Sequence, residues 1–385
     1  MNNNKKVFLI LGVMIVIAII LILIFFFTLK ADNATDQTPV KNSNSKSESS
    51  ASVTLPSNKS EDHQTESTDL FTKGKSTVGT LKFNSPKTIE GATIPENMPY
   101  MRQATTNYLL MGGLNDFLYF YDLKDERGEA VAKEKIQTAY LSQNEDFLVY
   151  AQQDALHEGV YLYDVKNKIN YGKVTEAPEM SKIVDLKYYN GAIFMTYYDV
   201  LAADTDKKKT FVTDTYVLPA KATNFPPQDK VTITGSSMAS DFIGNDYYVY
   251  VPDTNSIDLL QVNNQVLPRM TVDVSNEKID KNYSARELTL NSNQNWALRF
   301  SDDNDSEGVV VTEQGAIKGF DMVSDIAWYN NDYLLIVNNN DLYLYNMAKK
   351  TKTKLKTDVY QVDVVNGSIY IKNGDNDVQV ITPKK

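Results

Sequence analysis

Gly159-Val-Tyr-Leu-Tyr-Asp-Val-Lys-Asn167 is the stretch to which this sequence keeps returning. It reads as a short strand with alternating faces, ended by a turn. Leu118-Tyr-Phe-Tyr-Asp-Leu-Lys-Asp125 and Asp341-Leu-Tyr-Leu-Tyr-Asn-Met-Ala348 are nearly the same phrase. Weaker echoes are Thr215-Tyr-Val-Leu218, Ile257-Asp-Leu-Leu-Gln-Val262, Gly308-Val-Val-Val-Thr312 and Val378-Gln-Val-Ile-Thr382. A β unit recurring at roughly 35–55 residues has the size of a propeller blade.

Each echo is preceded by a second apolar run. Tyr108-Leu-Leu-Met111 stands before the first phrase, Phe147-Leu-Val-Tyr150 before the second and Tyr333-Leu-Leu-Ile-Val337 before Leu342–Tyr345. Turn residues such as Asn338-Asn-Asn-Asp341 or Asn373-Gly-Asp-Asn-Asp377 separate the runs. Seven such pairs fit between Thr77 and Lys385, about 44 residues each. The expected fold is all-β: a β-propeller of about seven blades, with six or eight as the alternatives left by long insertions. A closing strand is expected from Leu81–Phe83, pairing with the unit at Val359–Ile381. Asp125–Lys135, polar and Ala-containing, reads as an exposed loop.

The blade Ala139–Tyr150 followed by Gly159–Asp164 resembles the TolB-like propeller repeats, also found in prolyl-oligopeptidase relatives. In those repeats a Ser-Pro-Asp-Gly turn leads into an apolar strand and then an aromatic strand ending in Asp. Ser142-Gln-Asn-Glu-Asp146 takes the place of that turn without its Pro and Gly, and Leu290–Asn295 before Trp296 is a second degenerate copy. The resemblance implies the fold and assigns no functional residue. The Gly-His and Trp-Asp pairing of WD40 repeats is absent.

The N-terminal part has a different composition. Residues 1–6 form a polar head with Lys5 and Lys6, and Val7–Thr28 follows with 22 uncharged residues. As a helix that run spans about 33 Å, enough to cross a bilayer core of about 30 Å. It is too long for a signal-peptide core and ends in Phe25-Phe-Phe27, where cleavage would need small residues. The expectation is an uncleaved signal anchor in the cell membrane, N-terminus cytoplasmic by the positive-inside rule, with the remainder extracytoplasmic. Residues 29–76, with Asn42-Ser-Asn-Ser-Lys-Ser-Glu-Ser-Ser-Ala-Ser-Val53 at their centre, cannot bury enough surface to order themselves and read as a disordered tether. The propeller is then 77–385.

Composition excludes several functions. There is no cysteine, so neither disulfides nor Cys-ligated metals exist. A net charge of −10 argues against nucleic acid as a partner. Of the 2 histidines, His63 falls in the tether and His157 reads as a loop residue between two strands. No Gly-x-Ser-x-Gly elbow and no phosphate-cradling Gly-rich loop occurs, so neither a Ser nucleophile nor a nucleotide is supported. Asp303, Asp305 and Glu307 occupy the first, third and fifth positions of a calcium-loop spacing, but Gln314 takes the twelfth. That spacing admits a weak Ca²⁺ site beside the simpler reading of an Asp- and Asn-rich hairpin loop; no other cofactor is implied.

The function expected from these residues is a membrane-anchored binding or scaffold module, not an enzyme, holding a protein or cell-envelope polymer. The alternatives are a glycan-active or other hydrolytic enzyme, which would need two converging carboxylates, and a sensor working through a membrane partner.

Overall fold

The computed structural model describes residues 69–93, 100–112, 118–132, 136–154, 157–189, 191–201, 211–217, 230–236, 239–243, 246–251, 256–261, 269–273, 284–293, 295–301, 307–311, 315–317, 322–375 and 377–385. All lie in one compact unit, Asp62–Lys385. The apolar run Val7–Thr28, the tether up to residue 68 and Asp303 and Asp305 are outside the described residues. Among the described residues no helix is long and apolar enough to cross a membrane.

Among the described residues the strands form seven four-stranded antiparallel sheets and one two-stranded hairpin, Thr77–Val78 with Leu81–Lys82. Six of the seven take four consecutive strands from the chain, the first between Tyr100 and Ala132, the second between Ile136 and Glu176, the third between Ser181 and Ser236, the fourth between Ser240 and Asp273, the fifth between Ser284 and Ile317 and the sixth between Val323 and Thr357. The sixth sheet shows the local causes. Its strands are Val323–Asn330, Tyr333–Asn338, Asp341–Asn346 and Thr351–Thr357. Asn330 turns the chain by accepting the Asp332 and Tyr333 N–H groups on Oδ1. Asn339 and Asn340 both have positive φ, 50° and 61°, the conformation a two-residue hairpin demands and asparagine tolerates.

The recurring phrase is explained by what its two faces bury. Val160 and Leu162 pack with residues of the third sheet, whereas Tyr161 and Tyr163 turn to the first. In the sixth sheet Leu342 and Leu344 meet the seventh, and Tyr343 and Tyr345 meet the fifth. In the first sheet Leu118 and Phe120 face the second, and Tyr119 and Tyr121 face the seventh. In all three copies the residue just before each tyrosine covers the following sheet, and the tyrosines cover the preceding one.

Each junction between successive sheets thus owns an apolar cluster, and one of them joins the seventh sheet to the first through Met101, Leu109, Tyr121 and Val378. Sheets that pack in sequence and close on the first form a β-propeller.

Closure uses both ends of the described chain. The seventh sheet is Val359–Val365, Ser368–Asn373 and Asp377–Ile381, and its fourth strand is Lys87–Thr93. The expected closing strand was Leu81–Phe83. That segment does reach the C-terminal residues, since Phe83 bridges Pro383 and the Lys384 N–H donates to the Lys82 carbonyl at 2.8 Å. The strand that completes the sheet lies a few residues later, because Leu81–Lys82 is occupied in its own hairpin. Three local expectations change as well. Arg127–Ala132 is a strand at the outer edge of the first sheet, not a loop. His157 begins the strand His157–Asp164. Asp69 and Leu70, assigned by composition to the tether, are buried, and the Leu70 N–H donates to the Lys354 and Leu355 carbonyls.

Phe83 is fully buried between the sixth and seventh sheets, with its ring edge against Tyr329 at 5.5 Å. Phe83→Ala is expected to lower unfolding stability by about 3–5 kcal/mol. The exposed Met322→Ala should change it by less than about 0.5 kcal/mol. Denaturant midpoints of the two variants check the contrast.

Candidate functional site

The polar residues that come together in this fold lie on the innermost strand of each sheet. Six of the seven inner strands carry a bulge, at Met101/Gln103, Ile136/Thr138, Ile183/Asp185, Ala285/Glu287, Val323/Asp325 and Val359/Gln361. A bulge re-aims the side chain beside it. The residue after the bulge is polar every time. The fourth inner strand, Ser240–Ile243, supplies Asp241 without one.

These polar groups tie one sheet to the next. Asp241 Oδ2 accepts the Leu290 N–H of the fifth sheet at 2.8 Å while Oδ1 accepts the Phe242 N–H of its own strand at 2.7 Å. Asp325 does the same with Val362 (2.8 Å) and Ile326 (3.2 Å). Asp363 closes the ring, accepting Ala104 at 2.8 Å and Val364 at 2.7 Å. Gln103 holds both the N–H and the carbonyl of Leu141, at 2.8 and 2.9 Å. Ser240 Oγ donates to Asp185 at 2.9 Å, and Glu158 accepts the Ile183 N–H. Trp328 Nε1 donates to the Thr289 carbonyl at 3.1 Å, and Arg299, paired with Glu287 at 3.0 Å, reaches the Val323 carbonyl. All seven junctions therefore have a polar tie as well as an apolar core.

The same groups sense one another across the ring. Burial raises the Asp241 carboxyl to about 6, opposed by the Leu290 N–H and Lys187. Asp363 is likewise raised by burial to about 6, with Glu287 adding to the rise. Burial and then Glu287 push Asp325 well above the carboxylate range. Burial, reinforced first by Asp241 and then by Asp185 and Asp363, raises the Tyr140 hydroxyl. Side chains of the second, third, fourth, fifth, sixth and seventh sheets thus face a common centre. Two cations answer the acids: Lys187, 3.6 Å from Asp185 and 5.0 Å from the Tyr140 ring centre, and Arg299. Side chains of Asp185 and Lys187 keep 17% and 22% of their surface, so water reaches them.

This arrangement can hold sheets together and present a recessed acidic centre. Each oxygen of Asp241, Asp325 and Asp363 already accepts a backbone N–H. Groups so engaged are poorly placed to exchange protons with a substrate. Among the described residues no group of three acids or histidines is disposed to hold a metal. The calcium-type spacing is not brought into this centre: Glu307 opens the strand Glu307–Val311 of the fifth sheet, and Asp303 and Asp305 lie outside the described residues. Sequence reasoning missed the axial acids, though their signal was present: an apolar residue, one spacer and a polar residue, once per repeat, ahead of the first strand of each pair.

A second feature is a set of exposed apolar side chains. Met322 (62% exposed) precedes the sixth inner strand, and Tyr360 (40%) lies near the start of the seventh. Leu201 (54%) follows the second strand of the third sheet, next to Val200, whose N–H donates to Met180 just before the third inner strand. Met322, Tyr360 and Leu201 therefore share the face on which the inner strands begin. The other exposed large apolar residues described, Ile169 and Tyr171, sit on the outermost strand of the second sheet.

No protein-family model and no curated protein matches the sequence. Among solved structures, Kluyveromyces lactis Hsv2 is similar at 10% identity over 74% of this chain and 96% of its own, with a TM-score of 0.46. The Cps50 (Swd1) β-propeller domain of Myceliophteria thermophila is similar at 8% identity, 72% and 97% coverage and a TM-score of 0.45. These values assign no function.

Because the raised carboxyls bind protons more readily folded than unfolded, the sign of their pH effect follows. An unfolded carboxyl titrates at about 4, whereas burial pushes Asp241 and Asp363 up to about 6 and Glu158 up to about 7. The folded state holds the extra protons between those limits, so stability falls as pH rises through them. Urea midpoints are expected to be higher at about pH 5 than at about pH 8, with Asp363→Asn reducing the slope. A midpoint that rises with pH would contradict this.

Proposed function

We propose that this chain is a single-pass membrane protein whose extracytoplasmic domain is a seven-bladed propeller that binds a protein or an envelope polymer beside the bilayer. The anchor is Val7–Thr28, the tether runs to about residue 68, and no catalytic step is assigned. The observation that carries the binding reading is the pair Met322 and Tyr360, exposed on one face at adjoining sheets that Ser324 Oγ links by donating to the Tyr360 carbonyl at 3.3 Å, with Leu201 elsewhere on the same face. Solvent-facing methionine and tyrosine on a rigid support suit protein contact, because they offer area at low entropic cost. Use of the axial carboxylates as ties between sheets supports a module whose chemistry serves its shape. The TolB-like character of the Ala139–Asp164 repeat belongs to the same proposal. Its support is the turn in which Ser142 and Phe147 exchange hydrogen bonds, Ser142 Oγ accepting the Phe147 N–H at 3.0 Å.

A second reading has its own observation. Asp241, Asp325 and Asp363 carry raised carboxyls toward one centre that Glu287 also faces, and a glycan-cleaving enzyme requires a pair of converging carboxyls.

The full-length protein, crosslinked in its native membrane, is expected to capture a defined envelope or membrane protein. Met322→Asp combined with Tyr360→Ala should remove that capture while leaving the unfolding midpoint within about 0.5 kcal/mol of wild type. Capture that is unchanged by the double variant would remove this face from the proposal. Cleavage of purified envelope glycan, abolished by Glu287→Gln, would favour the hydrolytic reading.

A further inference from the structure

The charge of this acidic protein is unevenly placed. Segments 69–89, 348–357 and 382–385 contain 11 of its 39 lysines and arginines but one of its 49 acids, Asp69. Everything else carries 28 basic against 48 acidic residues. The three segments are far apart in sequence and meet in the fold.

Their meeting is built from backbone and core contacts. Leu70 donates its N–H to Lys354 and Leu355 on the outer strand of the sixth sheet, and buries its side chain with Phe83 and Leu355. Lys384 donates its N–H to the Lys82 carbonyl and its Nζ to Ser76 Oγ at 3.1 Å. Lys349 and Lys350 form the turn that leads into that same outer strand. A Cβ on Gly79, in the Thr77–Lys82 hairpin, would lie 3.1 Å from the Tyr333 hydroxyl. Tyr333 pairs with Asn346, and Asn346 with Thr351, so this hairpin lies beside the lysine turn. Lys82, Lys87, Lys349, Lys350, Lys384 and Lys385 are all exposed. Of the acids nearby, Asp69 is buried and Asp341 pairs with Lys354 at 2.5 Å, while the exposed Asp332, whose carbonyl accepts the Met347 N–H at 2.9 Å, stands at the lysine turn.

We propose that this lysine cluster, at the outer junction of the sixth and seventh sheets, is a docking surface for an anionic bilayer, laying that edge of the domain against lipid phosphates. The inference rests on the anchor reading. On that reading the chain leaves the bilayer after Thr28 and enters the domain at Asp69, within the lysine cluster itself. Only forty residues lie between those two points. The bilayer is therefore the polyanion that the cluster meets first. Lysines held near an anionic surface each favour its proximity by about fivefold, and the acidic remainder of the domain is repelled. The two effects together orient the domain as well as holding it. Such a pose leaves the Met322 and Tyr360 face accessible to a partner.

The test uses the full chain reconstituted in vesicles of phosphatidylcholine alone and of equal parts phosphatidylcholine and phosphatidylglycerol. Lysine acetylation is read by mass spectrometry. Lys82, Lys349, Lys350, Lys384 and Lys385 should acetylate about fivefold more slowly on the anionic vesicles. High salt should abolish the difference, and the exposed Lys166 and Lys168 of the second sheet should not share it. Reversing Lys349, Lys350, Lys384 and Lys385 to Glu should expose Lys82 equally on both. Equal reactivity on the two vesicles would overturn the proposal. Protection that appears only when soluble poly(glycerol phosphate) or nucleic acid is added would overturn it too, assigning the cluster to a soluble polyanion. Flotation separates this result from the anchor. A chain that floats with both vesicles at high salt yet shows no protection keeps its anchor and loses the docking surface. A chain that floats only with anionic vesicles at low salt, with these lysines protected, loses the anchor and keeps the surface.

Discussion

Every sheet in this protein buries both faces, and that constraint organises the rest. A four-stranded sheet with Leu342 and Leu344 on one side and Tyr343 and Tyr345 on the other has no side for water. It needs a neighbour on each side, and a row of such sheets leaves two unsatisfied ends unless it closes. Closure here is the junction of the seventh sheet with the first. Its apolar part is Met101, Leu109, Tyr121 and Val378, and its polar part is Asp363 accepting the Ala104 N–H. The seventh sheet is itself complete only when Lys87–Thr93 joins it. One short strand from the beginning of the domain therefore supports the last sheet and, through it, the ring.

How much of this could be read in advance depends on where a residue sits in its sheet. The two middle strands are covered on both faces and between neighbouring strands, and those that contain a run of four or more successive apolar residues stand out. Phe147–Asp154 with His157–Asp164, and Tyr333–Asn338 with Asp341–Asn346, are of this kind. Outer strands bury little: of Thr351–Thr357 only Leu355 is buried, and Arg127–Ala132 looks like a polar loop for the same reason. Inner strands are obscured differently. Their polar residues face the centre, so Val323-Ser-Asp325 or Val359-Tyr-Gln-Val-Asp363 interrupts the apolar pattern where the structure most needs a carboxylate. The closing strand, Lys87-Thr-Ile-Glu-Gly-Ala-Thr93, has a single large apolar residue and cannot be distinguished from its surroundings by composition.

The candidate site shows the same limit more sharply. Ties such as Asp241 to Leu290 or Gln103 to Leu141 join residues 38 to 49 positions apart, one sheet to the next. No local pattern shows such a pairing, although the repeated apolar-spacer-polar triplet marks the positions. Burial raises these carboxyls, while the N–H groups they accept favour the charged form. The outcome is a centre that is acidic, recessed and already bonded. The proposed binding surfaces lie elsewhere: apolar side chains on the face where inner strands begin, and a basic cluster at the edge where the described chain enters. In an acidic protein these are two departures from the average surface, and on the reading proposed above their separation would let one hold position while the other holds a partner.

The ring depends most on its closure by the strand Lys87–Thr93. Hydrogen exchange on the full chain, resolved to peptides, tests this directly. Lys87–Thr93 and Asp377–Ile381 are expected to be protected to the same degree as Tyr333–Asn338 and to exchange with them in one cooperative opening. Exchange of Lys87–Thr93 and the seventh sheet far ahead of the others, with the remaining sheets still protected, would contradict it.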